Sequence, residues 1–195
     1  MLKDIESKTV QAGVYSGLDN VVNVFPKIYE SRYVSGVVAG LKLKELMDEG
    51  KITDPYVGYV ETMGLPTMVS SYSAFFLGVR SVVPKVHMDI KYTNSWYDPN
   101  ASSAAAQSLM DKGCVIICQG YPLDMGVPSA VQSAVESGQL HYCIGYGIDL
   151  LMAAPDAALT SAQVNMSAHY QAVLSDLLNG KPIAHDYALG YGYDG

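Results

Sequence analysis

Apolar residues recur along this chain with two alternating periods, and the alternation predicts the architecture. Val34, Val37, Val38 and Leu41 repeat at three- and four-residue spacing, which predicts a helix from Pro26 to Asp48, closed by Gly50. Asp54-Pro55 breaks the pattern, and Tyr56-Val57-Gly58-Tyr59-Val60 reads as a buried strand. Met68, Tyr72, Phe75, Phe76 and Val79 form the stripe of a second helix. Val86, Met88, Ile90 and Tyr92 alternate with His87, Asp89 and Lys91, the signature of a strand with one solvated face.

The rhythm then repeats. Asp98-Pro99 caps and starts a helix that runs through an alanine-rich segment to Lys112. The strand Cys114 to Cys118 follows. Val127, Ala130, Val131, Ala134 and Val135 mark another helix, ended by Gly138, before a strand from Leu140 to Gly145. Leu159 to Gln163 is a candidate further strand. Tyr170, Val173, Leu174, Leu177 and Leu178 form a last helical stripe, stopped by Asn179-Gly180.

Strands alternating with helices of this length imply βαβ units, hence an α/β fold with a doubly wound, mainly parallel sheet covered on both faces. Residues 54–160 are expected to form one complete lobe. Residues 1–53, with the long helix, and 161–195 are expected to be parts of a second lobe, with no strands of their own nearby.

Composition narrows the function. The chain of 195 residues is 49% hydrophobic and 16% charged, with a net charge of −7. That balance suits a folded core and argues against nucleic acid or anionic lipid as a partner, since both are bound by neutralising phosphates. No apolar run is long enough to span a bilayer. The opening Met1-Leu2-Lys3-Asp4-Ile5-Glu6 carries no apolar signal core and no lipidation cysteine, so the chain as it stands is expected to remain in the cytoplasm, a secreted parent having lost its export signal. Cys114, Cys118 and Cys143 are expected to be buried small hydrophobes, the first two on one strand face. His87, His141, His169 and His185 are scattered, so no metal is expected.

In an open parallel sheet, ligands bind beyond the carboxyl ends of the strands. Those ends are Glu61 to Pro66, Thr93 to Tyr97, Gln119 to Asp124 and Tyr146 to Asp149. They hold the only tryptophan, several tyrosines and three carboxylates, which suits a flat, hydroxylated ligand. Trp96 is either a plug of the lobe or an aromatic platform. Asp98 reads as a helix cap, and Asp149 as a cap or a ligand to hydroxyls. Asn94 and Gln119 either satisfy loop backbone or reach a ligand. Tyr121 and Tyr146 complete the candidate set. No nucleophile elbow, phosphate loop, zinc-helix motif or dinucleotide fingerprint is present, so no cofactor is expected and a binder is favoured over an enzyme.

Several strings resemble one family. Lys27-Ile28-Tyr29-Glu30-Ser31-Arg32-Tyr33-Val34-Ser35-Gly36, then Ala39-Gly40, resembles a signature helix of the basic membrane protein family, the extracytoplasmic receptors of ABC importers. Phe75 to Pro84, Thr93-Asn94-Ser95-Trp96-Tyr97-Asp98-Pro99 and Ala154 to Ser161 resemble further strings of that family in the same order. The resemblance implies a type I periplasmic-binding-protein-like fold of two lobes that clamp a purine nucleoside or base, delivered to an ABC permease. It implies one complete lobe here plus part of a second, with the family's N-terminal strands and export signal missing. The site strings depart from the family pattern at Gly120, Gly147 and the loop Tyr121 to Met125. By resemblance, Trp96 would stack on the base, Asn94 and Gln119 would read its edge, and Asp149 would accept ribose hydroxyls. The parent would be membrane-anchored or periplasmic. Three rivals remain: an engineered or truncated scaffold that binds nothing and self-associates through its incomplete lobe, a regulator's sensor domain, and, last, an enzyme.

Overall fold

The computed structural model describes residues 9–12 and 20–191. In chain order the elements are β1 (Thr9–Ala12), β2 (Val21–Val24), α1 (Ile28–Asp48), β3 (Tyr56–Glu61), α2 (Pro66–Val82), β4 (His87–Tyr92) and α3 (Pro99–Asp111). Then come β5 (Ile116–Gln119), α4 (Gly126–Glu136), β6 (Tyr142–Gly147), a 3-10 turn (Leu150–Met152), β7 (Ala158–Gln163), α5 (Met166–Leu178) and β8 (Asp186–Tyr187). Contacts divide the chain into two compact units, residues 31–163 and residues 1–30 with 164–195.

The larger unit holds a parallel sheet in the order β4-β3-β5-β6-β7. β3 and β5 lie at its centre and are buried on both faces, which is why their residues read as unbroken apolar runs. On one face Val57, Tyr59, Ile116, Cys118 and Ile144 pack against Leu43 and Leu46 of α1 and Phe75 and Val79 of α2. On the other, Val60, Ile117 and Cys143 pack against Leu109 of α3 and Val127 and Val131 of α4. The further strand expected at Leu159 to Gln163 is β7, the fifth of this sheet.

The long helix forms where the pattern predicts, but it buries a different face. Its buried residues are Arg32, Ser35, Gly36, Ala39, Gly40, Leu43 and Leu46. Val34 and Leu41, expected inward, are exposed. The cause is close helix packing: Gly36 and Gly40 press against the backbone of α2 at Phe75 and Val79, so the small residues face in. The same contact places α1 from Ser31 onward in the larger unit, not with residues 1–30 as the sequence suggested.

All three cysteines are buried. Cys114 and Cys118 nevertheless lie in opposite core layers. The strand begins only at Ile116, because the Cys114 N–H closes the turn after α3 by bonding the Leu109 carbonyl at 3.0 Å.

The smaller unit corrects the expectation that the flanking segments lack strands. β1, β2 and β8 form a parallel three-stranded sheet. Val22 and Val24 pack with Val173, Leu177, Ile183 and Tyr187. Only part of the predicted α5 stripe faces this core, for Leu174 and Leu178 are exposed. Buried His169 meets the carbonyls of Asn165 at 3.0 Å and Leu189 at 3.4 Å. These short strands carry two to four residues each, too few to show a period. Among the described residues no helix is long and apolar enough to cross a membrane, and no cluster suited to a metal occurs. The expectation about Met1 to Glu6 lies outside the described residues.

Candidate functional site

The strand order reverses its direction of growth between β3 and β5, because β4 lies to one side of β3 and β5 to the other. At such a switch point the connecting loops part and leave a crevice beyond the carboxyl ends. Glu61 ends β3 and Gln119 ends β5, so these two residues stand at the switch point, both buried.

Beneath them lies Arg32, fully buried. Its guanidinium sits 4.2 Å from the ring centroid of Tyr146 on β6 and 5.5 Å from that of Tyr59 on β3. It donates to the Gln119 carbonyl at 2.8 Å, to Ser71 Oγ at 3.2 Å and to Cys118 Sγ at 3.4 Å, with the Gly120 carbonyl at 3.5 Å. Burial by itself would lower the Arg32 pKa, but Tyr59, Cys118, Tyr146 and Glu61 together hold it above the ordinary value. The charge is therefore kept by the two tyrosines, the Cys118 thiol and the nearby Glu61 carboxyl, while carbonyl oxygens take its hydrogen bonds.

Glu61 is buried, and its Oε1 accepts from the Thr62 N–H at 2.8 Å. Burial pushes its carboxyl up, and the Thr62 N–H and Arg32 pull the other way without restoring it. Gly120 lies against this carboxyl: a Cβ there would stand 2.8 Å from Glu61 Oε1.

Gln119 is also buried. Its Nε2 donates to the carbonyls of Tyr121 at 2.7 Å and Asp124 at 2.6 Å, which folds the β5–α4 loop back on the strand end. Its Oε1 has no hydrogen-bond partner among the described residues and is itself buried, which leaves an unpaired acceptor at the strand end. Asp124 is the hub of the loops. Its buried carboxylate accepts from Ser102 Oγ at 2.7 Å, the Gly126 N–H at 2.9 Å and the Asp98 N–H at 3.2 Å. That joins the β4–α3 loop to the β5–α4 loop.

This junction brings Trp96 and Tyr121 together, with centroids 6.0 Å apart and planes at 59°. Trp96 is 50% exposed, so it is not a plug of the core. Asn94 adopts the left-handed conformation with φ 56° and is held by its N–H to the Thr62 carbonyl at 2.9 Å, leaving its side chain exposed. Asp98 caps α3 by accepting from the Ala101 N–H at 3.0 Å.

Asp149 stands apart from this group. It caps the 3-10 turn through the Leu151 N–H at 3.0 Å. It also lines a hollow of about 280 Å³ along β7 with Leu151, Thr160, Ser161 and Gln163. Gly147, with φ 75°, abuts the β5–α4 loop so closely that a Cβ would stand 2.3 Å from Pro122 Cβ. A larger residue there would push that loop away.

The sequence reading missed Arg32, Glu61 and Asp124 as organisers of this edge. A signal for Arg32 existed: it lies in step with Gly36, Ala39, Leu43 and Leu46 on one helical stripe. A cation on that stripe is either solvated or clamped, and only the helix packing shows which.

The chain matches the Bmp family, described as PnrA-like ABC transporter substrate-binding proteins, over residues 6–194. A Haloferax volcanii protein named as an ABC transporter glucose-binding protein is 31% identical over 118 residues, which is 60% of this chain and 27% of that protein. A purine-binding protein of Brucella abortus is 33% identical over 105 residues, 54% of this chain and 27% of that protein. An ABC solute-binding protein of Aeropyrum pernix shares the fold with a TM-score of 0.82 at 19% identity, covering 95% of this chain and 52% of that one. A LacI-family regulator of Corynebacterium glutamicum does so at 0.61 and 10% identity, covering 93% and 68%. The chain thus spans about half the length of the first of these solved structures, and its match spans about a quarter of the curated relatives. With nearly its whole length inside the family match, and the parallel sheet of a type I periplasmic-binding-protein lobe, the chain belongs to the Bmp family of PnrA-like ABC transporter substrate-binding proteins.

Proposed function

We propose that this chain captures an uncharged, ring-bearing solute rich in hydroxyl or N–H donors at the carboxyl edge of its larger sheet, as the solute-binding component of an ABC importer. The observation that carries this is the half-exposed Trp96 beside Tyr121 at that edge, next to the switch point. An aromatic pair offers a flat face to a ring. The polar groups around it include several acceptors: Gln119 Oε1, the Glu61 carboxyl and, farther along the edge, Asp149. The guanidinium of Arg32 is committed to protein acceptors and is not free to hold an anion. A donor-rich neutral solute matches that inventory.

Within this class a purine nucleoside or base is the reading we favour, supported by the Brucella abortus purine-binding relative. Trp96 stacks on the base, with Tyr121 beside it. Asn94 and Gln119 reach its edge, Asp149 takes ribose hydroxyls, and Tyr146 supports the floor through Arg32. The bound solute passes to an ABC permease, in an extracytoplasmic setting, by membrane anchor or in the periplasm. A sugar is the second reading, favoured by the glucose-binding name of the Haloferax volcanii relative.

The test is thermal unfolding with adenine, adenosine, inosine, guanosine, glucose or adenosine monophosphate in millimolar excess. A ligand at a hundredfold over its Kd adds about 2.7 kcal/mol to stability. A rise with purines, small with the monophosphate and lost in Trp96→Ala, is the expected result. A rise with glucose alone selects the sugar reading, and no rise with any solute leaves a scaffold that does not bind.

A further inference from the structure

We infer that Arg32 is the positioning residue of this edge: its planar fork, rather than its charge alone, sets the ligand-facing ends of β5 and β6. The inference rests on the solute-site reading for its consequence, but its geometry stands without it. Arg32 reaches three strands at once from the first turns of α1. Its Nη2 holds the Gln119 carbonyl at 2.8 Å, with the Gly120 carbonyl at 3.5 Å, while its flat face lies 4.2 Å from the centre of Tyr146. Nε is taken by Ser71 of α2 and Nη1 by Cys118.

Among the described residues no carboxylate is hydrogen-bonded to it. A buried guanidinium with no directly bonded carboxylate costs desolvation, and carbonyls, π faces and the more distant Glu61 carboxyl only offset this when the geometry is good. Those same carbonyls belong to Gln119 and Gly120. Gln119 holds the unpaired amide acceptor and Gly120 carries the loop to Tyr121, the partner of Trp96. Displacing the fork therefore shifts the base-edge acceptor, the aromatic pair and the Tyr146 ring together. A lysine ammonium has neither the plane to lie on Tyr146 nor the fork to reach Ser71, Cys118 and Gln119 at once.

The experiment compares the wild type with Arg32→Lys and Arg32→Ala by amide hydrogen exchange, unfolding and solute binding. In Arg32→Lys the expected result is cooperative unfolding, with exchange at residues 117–121 accelerated at least tenfold while α3 and α4 keep wild-type protection. Affinity for adenosine, or for glucose where glucose alone binds the wild type, falls at least tenfold. Guanidinium at 20–50 mM restores protection in Arg32→Ala, and methylammonium at the same concentration does not. A merely structural cation would be replaced by either.

Wild-type exchange and affinity in Arg32→Lys would overturn the inference. If neither variant folds, the wild-type Arg32 Nε–H decides: slow exchange and an upfield ring-current shift are expected, and a fast-exchanging, unshifted signal overturns it. If the wild type binds no solute, the solute-site reading falls, while exchange and guanidinium rescue still decide the role of Arg32.

Discussion

Gly36 on α1 and Gly78 on α2 meet with no side chain between them. A Cβ on Gly36 would stand 2.1 Å from the Phe75 carbonyl oxygen, and one on Gly78 would stand 2.1 Å from that of Tyr33. The two helices touch backbone to backbone. This contact turns the small-residue face of α1 inward and brings Arg32 under the strand ends.

Gly36→Ala is therefore expected to destabilise the protein although alanine is the better helix former. Alanine gains about 0.8–1 kcal/mol in helix propensity. Overpacking against rigid backbone costs about 1–3 kcal/mol or more, and here the overlap is with a carbonyl that cannot turn aside. The urea midpoint should fall with the slope unchanged. An unchanged or raised midpoint would show that the helices can separate at no cost.

Trp96→Ala separates site from scaffold. Aromatic stacking on a base contributes about 1–3 kcal/mol, so the Kd for a bound purine should rise about 5- to 150-fold. Because Trp96 is half exposed, the ligand-free unfolding midpoint should move little. Isothermal titration beside ligand-free urea unfolding checks both halves.

Glu61 makes stability depend on pH in a stated direction. Burial raises its folded pKa above the ordinary value of 4.5, so the folded state holds its proton longer than the unfolded state. Its contribution to stability is complete below the unfolded value and is lost as pH rises from there through the folded pKa. Glu61→Gln cannot titrate, so wild-type stability relative to this variant should decline as pH rises above the ordinary value of 4.5. Denaturant midpoints of both proteins across that range measure the difference, and parallel curves would place the carboxyl in water.

Cys114, Cys118 and Cys143 should be inert in the native state. Burial pushes each thiol up to about 12, and the thiolate is the reactive form. Ellman's reagent at pH 8 is expected to titrate none of them in the folded protein and all three after denaturation. Rapid labelling of one without denaturant would reveal local opening of its strand.

Much of this molecule was legible before folding. The doubly wound α/β plan, the helix starting at Pro99, the Asp98 cap and the loops carrying Trp96 and Tyr121 all follow from short-range physics. Period, cap geometry and strand length act within a few residues, so they can be read along a line. The wrong face assigned to α1 shows where that reading ends. Val34, Val37, Val38 and Leu41 make a plausible apolar stripe, but the buried stripe holds Gly36 and Gly40, because two helices approach most closely where side chains are smallest.

The strands of the smaller unit escaped notice for a related reason. β8 is two residues long and is a strand only because β2 lies beside it. The site divides in the same way. Its proposed members are the residues that parallel-sheet topology puts beyond the strand ends, which is a rule about sequence order. Their arrangement was a tertiary decision: Trp96 against Tyr121, Gln119 turned back on its own loop, Asp149 set apart on the β7 side. Local propensity determined which elements form and in what order. Only packing decided which atoms of distant segments share one dry volume, and there a buried charge such as Arg32 must find its partners, since water is no longer available to solvate it.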